Sequence, residues 1–278
     1  MKKIFFKIID DIKKLDFPGM AAEMSFGLIF ALFPFLIFLI SVFGLFGSVE
    51  LINEIIKTLI LIIPAEIVNI IEIALNKAIE SSTTSLLTLG FILALWSASN
   101  AANIILKSIN KTYKIEETRP FWKIRLISIA IVFVSTIVIF ISMNLIIIGE
   151  IILNFLQTFI EIPEKTQNYI LFFRWPVSFV LLFLISFFIY YITPNIKNRF
   201  KIKSLSIIYG SLFFCVSWLL GSWAFSIYIE NFGRYNETYG ILGGFIILLT
   251  WLYFSSLIIL IGGLINSICY EKIKNSNY

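Results

Sequence analysis

The sequence contains no histidine, and its only cysteines are Cys215 and Cys269. Ordinary zinc and iron sites draw on those two residue types, so such a centre is excluded and no cofactor is expected. Both cysteines fall in apolar runs, where inert packing is the expected role and a disulfide is not. Charge is scarce as well. Asp, Glu, Lys and Arg make up 14% of the 278 residues, against roughly 25% in a soluble domain. No ionisable residue lies near the middle of any long apolar run. A proton-coupled pump needs an intramembrane carboxylate or histidine, and a voltage sensor needs arginines. A strongly ion-coupled mechanism is therefore disfavoured, while sodium held by carbonyls and amides stays open.

What fills the chain instead is apolar: 59% of residues, with a mean hydropathy of +0.95. Six stretches, 26–47, 86–106, 126–149, 175–193, 207–229 and 241–269, are long and apolar enough to cross the roughly 30 Å of hydrocarbon in a bilayer as helices. The fold class predicted is an all-α, polytopic membrane bundle of six transmembrane helices. The fourth is expected to open at Arg174, Trp175 and Pro176. Lysine and arginine set the orientation, because such residues are retained in the cytoplasm. Seventeen of the 22 basic residues fall in segments 1–25, 107–125, 194–206 and the tail, all on one side if the spans alternate. This places both termini in the cytoplasm and the protein in a bacterial inner membrane. The net charge of +5 thus reflects topology, and no nucleic-acid partner is expected.

The chain reads as one membrane domain, 1–278. Residues 1–25 begin with an amphipathic helix, 26–269 form the bundle, and 270–278 form a cytoplasmic tail. Ile4, Phe5, Ile8, Ile9, Ile12 and Leu15 share one face of the first helix, with lysines around the rest, a pattern that suits an anionic leaflet. The N-terminus does not read as a cleavable signal, because its first apolar run is too long. Residues 50–84 read as outer amphipathic helices broken at Pro64, and 150–160 as a continuation of the third span. These segments either wall an outward cavity or pack at the interface.

The second span carries a polar stripe. Trp96, Asn100, Asn103, Lys107, Asn110 and Lys114 recur at spacings of four, three, four, three and four, and so share a helix face, flanked by Ser97 and Ser99. An amide in hydrocarbon needs a partner, so the stripe is either interhelical glue or a solute path. In the following loop, Arg119, Trp122, Lys123 and Arg125 mix cations with aromatics, as lipid-phosphate anchors do. Pro34 is expected to kink the first span. Gly240, Gly244 and Gly262 read as packing or hinge positions in the last. The dipeptides Trp218-Leu219 and Trp251-Leu252 recur, but are too short to mark a repeat.

Several of these runs resemble one family. Ala21-Ala22-Glu23-Met24-Ser25-Phe26 through Leu32-Phe33-Pro34, then Leu95-Trp96-Ser97-Ala98-Ser99-Asn100, are similar to the YihY/BrkB family of bacterial inner-membrane proteins. So are Asn110-Lys111-Thr112-Tyr113, Arg119-Pro120-Phe121-Trp122-Lys123-Ile124-Arg125, and the region from Tyr235 to Asn266. Glu23-Met24 departs from the small or aromatic residues expected there. The resemblance implies an envelope role and carries an old label, ribonuclease BN, with no catalytic residues to transfer. The residues speak against that label. A ribonuclease needs clustered carboxylates or histidines, and the inner segments offer no histidine and only scattered acids such as Glu116 and Glu117. The expectation is therefore not an enzyme. A transporter or exporter of a lipidic or amphiphilic envelope solute leads, a non-transporting scaffold for envelope integrity follows, and a ribonuclease comes last. Membrane lipids, and possible envelope-assembly proteins, are the partners implied.

Overall fold

A computed structural model describes residues 2–46, 84–143, 163–196, 201–231 and 241–276. Among them the regular elements are seven α-helices: α1 (Lys2–Lys14), α2 (Phe17–Phe46), α3 (Thr84–Thr112), α4 (Phe121–Met143), α5 (Glu164–Ile192), α6 (Lys201–Asn231) and α7 (Ile241–Ser276). Five carry windows long and apolar enough to span a membrane: Phe17–Phe35, Thr88–Thr112, Phe121–Val138, Leu205–Tyr228 and Gly243–Asn275. In α5 the apolar part is the shorter stretch Pro176–Ile192.

Local chemistry explains where the helices stop and start. Asp16 adopts a left-handed φ of 53°, ending α1. Its carboxylate then accepts the Gly19 N–H at 3.2 Å, capping α2. A Cβ at Gly19 would collide with that carboxylate, so the close approach requires glycine. Pro18 sits in the first turn, where its missing N–H costs no helical bond. This cap starts α2 at Phe17, nine residues ahead of the predicted span. The end of α3 is a Schellman motif. Lys114 N–H bonds Lys111 C=O at 3.0 Å and Ile115 N–H bonds Asn110 C=O at 3.1 Å. Lys114 occupies the left-handed position, with φ 54°, where glycine is usual.

The spanning helices pack in a closed cycle, α2 on α3, α3 on α4, α4 on α5, α5 on α6, α6 on α7 and α7 back on α2, with α7 also reaching α3. The buried core gathers toward one end. It comprises Phe17, Met20, Ala21 and Met24 from the start of α2, Ile105 and Ile109 of α3 with Tyr113 just beyond, Tyr190 of α5, Ile196, Ile207 of α6, and Leu260 and Leu264 of α7. At that same end Lys114 meets Asp11, Asn195 meets Asn110, and Tyr113 meets Tyr270. The basic segments that the charge pattern assigns to the cytoplasm thus converge in space, as an even alternation of spans requires. This is the inner end below.

Two expectations change. Helix α5 does not open at Arg174, Trp175 and Pro176; it begins at Glu164 after Pro163 and carries Pro176 inside. The apolar face of α1 is not left to lipid alone, because Ile8, Ile12 and Leu15 pack against the core, and Asp11 is buried. Helix α2 continues through Pro34, with one backbone bond lost there. The expected outer helices at 50–84, the continuation at 150–160 and Gly240 lie outside the described residues.

Candidate functional site

At the inner end the loop after α3 is tied down by one guanidinium. Arg119 is buried. Its Nε and Nη2 donate to the two Glu117 carboxylate oxygens at 2.7 and 2.5 Å, and Nη2 also donates to Thr193 C=O at 2.8 Å. Nη1 reaches Ile192 C=O at 3.4 Å. Arg119 therefore caps the C-terminus of α5, where unpaired carbonyls and the helix dipole favour a cation. Glu117 also accepts from Asn110 Nδ2 at 2.8 Å, while Asn110 Oδ1 accepts the Asn195 N–H at 3.0 Å. Burial alone would raise the Glu117 pKa, but the bonds and charge of Arg119, with the Asn110 amide, outweigh it and hold the carboxyl below its ordinary value of 4.5. Arg119 is thus an internal clasp and not a lipid-facing cation. The loop motif alone does not show this, because the α5 carbonyls lie more than seventy residues away.

The structure disperses the polar stripe among different partners. Asn110 belongs to the clasp. Lys114 pairs with Asp11 at 2.8 Å. Asn100 is exposed and accepts Arg125 Nη1 from α4 at 2.6 Å. Arg125 Nη2 reaches Trp96 C=O at 3.2 Å, and its guanidinium stacks 3.9 Å from the Trp96 ring centroid. Ser97 and Ser99 are buried, Ser99 bonding Trp96 C=O at 3.1 Å. Asn103 Oδ1 is buried without a partner, and Lys107 is exposed. Trp122 and Lys123 are exposed.

Where α6 crosses α7 the backbones nearly touch. A Cβ at Gly210 would sit far inside contact distance of the Gly262 carbonyl oxygen and the Asn266 side chain. Asn266 is fully buried and its Oδ1 accepts the Gly210 N–H at 2.7 Å. Tyr190 closes against Gly262 and donates to Ile259 C=O at 2.7 Å. A Cβ at Gly244 would meet nothing within 4 Å among the described residues. Gly210, Asn266 and Tyr190 escaped the sequence reading; a legible signal was Asn266 one turn after Gly262.

Farther along the same helices a cavity of about 290 Å³ opens between α6 and α7, lined by Trp218, Gly221, Phe225, Trp251, Phe254 and Ile258 among others. The two recurring Trp-Leu pairs meet here. The Trp218 and Trp251 rings pack edge to face with centroids 5.6 Å apart, and Trp218 Nε1 donates to Ser255 Oγ at 3.2 Å. Gly221, Ala224, Tyr228 and Phe254 are exposed, so the cavity opens sideways. Both thiols are free: Cys215 is buried, with Ser186 Oγ 3.8 Å away, and Cys269 is partly buried.

These helices define a multi-pass α-helical membrane protein. The family described as Virulence factor BrkB matches residues 8–277, and the chain belongs to it. The chain is 30% identical to the ribonuclease-like protein YfkH of Bacillus subtilis (strain 168), over 91% of this chain and 90% of that one. It is 36% identical to a UPF0761 membrane protein of Actinobacillus pleuropneumoniae serotype 5b (strain L20), over 32% of this chain and 31% of that one. It is 38% identical to a UPF0761 membrane protein of Tolumonas auensis, over 27% and 23%. No solved structure matches.

Proposed function

We propose that this protein is a transporter or exporter of a lipidic or amphiphilic envelope solute, whose apolar part enters the cavity between α6 and α7. The observation that carries this reading is the cavity itself. It is almost wholly apolar, opens sideways, and holds one anchored polar group pair, Trp218 with Ser255. Its volume, about 290 Å³, lies just below the range of roughly 300–1,000 Å³ common to small-molecule pockets. The packed inner end, with its clasp, supplies the closed side that alternating access needs. The reading assigns no catalytic step; Glu117, the acid nearest the loop motif, is engaged by Arg119.

A second reading, a scaffold for envelope integrity, is favoured by one specific observation. The stripe amides of Asn100 and Asn110 are both bonded to protein groups, as glue would be. Gly221→Leu separates the two. A Cβ there meets only Ile258 Cδ1 at 3.5 Å, so the longer side chain fills the cavity without parting the helices. In proteoliposomes carrying fluorescent phospholipid, the transport reading expects wild type to move the probe between leaflets and the variant to lose most of that movement at unchanged thermal stability. Equal rates in wild type, variant and protein-free vesicles would leave the scaffold.

A further inference from the structure

The geometry points to a binding site for the phosphate headgroup of an anionic inner-leaflet phospholipid in the cleft between α3 and α4, centred on Arg125. Three ion pairs form among the described residues, Lys14–Asp10, Lys114–Asp11 and Arg119–Glu117, and Arg125 belongs to none of them. Its guanidinium is nonetheless fixed in place: stacked on Trp96, bonded to Asn100, and half-buried. Those contacts use two of its five N–H donors. A positioned cation with donors to spare, and with no acid paired to it among the described residues, is how arginine receives a phosphate.

The surface around it has the shape of an amphiphile. Along one face of α3, toward the outer side, Leu89, Leu93 and Trp96 are exposed at 57, 50 and 56%. Below them on that face come Asn100, Asn103 and then Lys107, which is exposed and in none of those ion pairs. On α4, Phe121 and Trp122 lie one turn inward of Arg125 and are exposed, as are Leu126 and Phe133 farther out. A free anion would leave this apolar strip uncovered. A phospholipid covers it with an acyl chain while its phosphate meets Arg125, with Lys107 farther in along the same face. The same contacts explain why Asn100 is exposed: it orients the guanidinium from the lipid side of the bundle.

The site stands apart from transport, since a lipid can be held without being moved. Its test is lipid retention by the purified full chain in native mass spectrometry, with phosphatidylglycerol or phosphatidylcholine added. Wild type should retain phosphatidylglycerol in clear preference, and Arg125→Gln should weaken retention roughly tenfold, with Arg125→Lys intermediate. Asn100→Leu, which keeps the charge but frees it, should also weaken retention and carries the test if Arg125→Gln does not fold. Equal retention of both lipids by wild type, undiminished phosphatidylglycerol binding in these variants, or displacement by millimolar inorganic phosphate would overturn the site. No lipid movement by wild type, with retention intact, would instead count against the transport reading alone.

Discussion

Replacing Arg119 by alanine tests whether the inner end is held by a clasp. The substitution removes the paired bonds to Glu117 and the bonds to the Thr193 and Ile192 carbonyls. Breaking one side of a buried ion pair costs about 3–5 kcal/mol. Here the Glu117 side chain keeps 16% exposure, the Asn110 amide and the Arg119 backbone N–H, which argues for the lower end, about 3 kcal/mol. Arg119→Lys keeps the charge but not the fork and should cost roughly half as much. Glu117→Ala in the Arg119→Ala background should be milder than the sum of the single changes, because the stranded carboxylate is gone. Equilibrium unfolding of the purified chain in mixed detergent micelles, followed by tryptophan fluorescence, measures wild type and the four variants, Glu117→Ala alone included. Were Arg119 an exposed lipid anchor, the change would stay within about 0.5 kcal/mol. That result, with Glu117→Ala equally silent, would refute the clasp.

Three further outcomes follow from the same structure. Because the Glu117 carboxyl titrates lower in the folded chain than when unfolded, its stabilisation is complete well above pH 4.5 and is lost as the pH falls from 4.5 through the folded value; Glu117→Gln should flatten that part of the unfolding profile, and an unchanged acid limb would contradict the pairing. Gly210→Ala should cost roughly 1–3 kcal/mol by prising α6 from α7, whereas Gly244→Ala, which meets open space, should be neutral or stabilising by up to about 1 kcal/mol; equal melting temperatures would show that the crossing is not tight. Lys123→Cys, in a chain with Cys215→Ala and Cys269→Ala, should react with an impermeant maleimide in inside-out vesicles and not in intact cells; the reverse would invert the topology.

Much of the architecture was legible because it follows from one-dimensional quantities. The spans come from how long the chain stays uncharged, and their direction from where lysine and arginine accumulate. The convergence of Asp11, Asn110, Lys114 and Asn195 at one end is the three-dimensional consequence of that alternation. Helix α1 was legible from its periodicity, and the cap at Asp16 could have been read from Asp16-Phe17-Pro18-Gly19. The start of α5 was misread because a proline can sit inside a long helix as well as open one.

The site residues were a different matter. Periodicity correctly grouped Trp96, Asn100, Asn103, Lys107, Asn110 and Lys114 on a face, but a face says nothing about what stands opposite. Arg119 and Arg125, six residues apart, read alike as interfacial cations. Tertiary structure sends one inward to Glu117 and the α5 carbonyls and the other across to Asn100 and Trp96. Likewise Gly210 and Gly244 are both helical glycines, yet among the described residues only the first meets a neighbouring backbone. Hydrophobic length acts on each segment by itself, so the sequence alone determined that the chain is a bundle of long apolar helices. Partner choice depends on contacts between segments distant along the chain, so the folded bundle alone decided which polar groups are clasped, which face lipid, and where the two tryptophans meet.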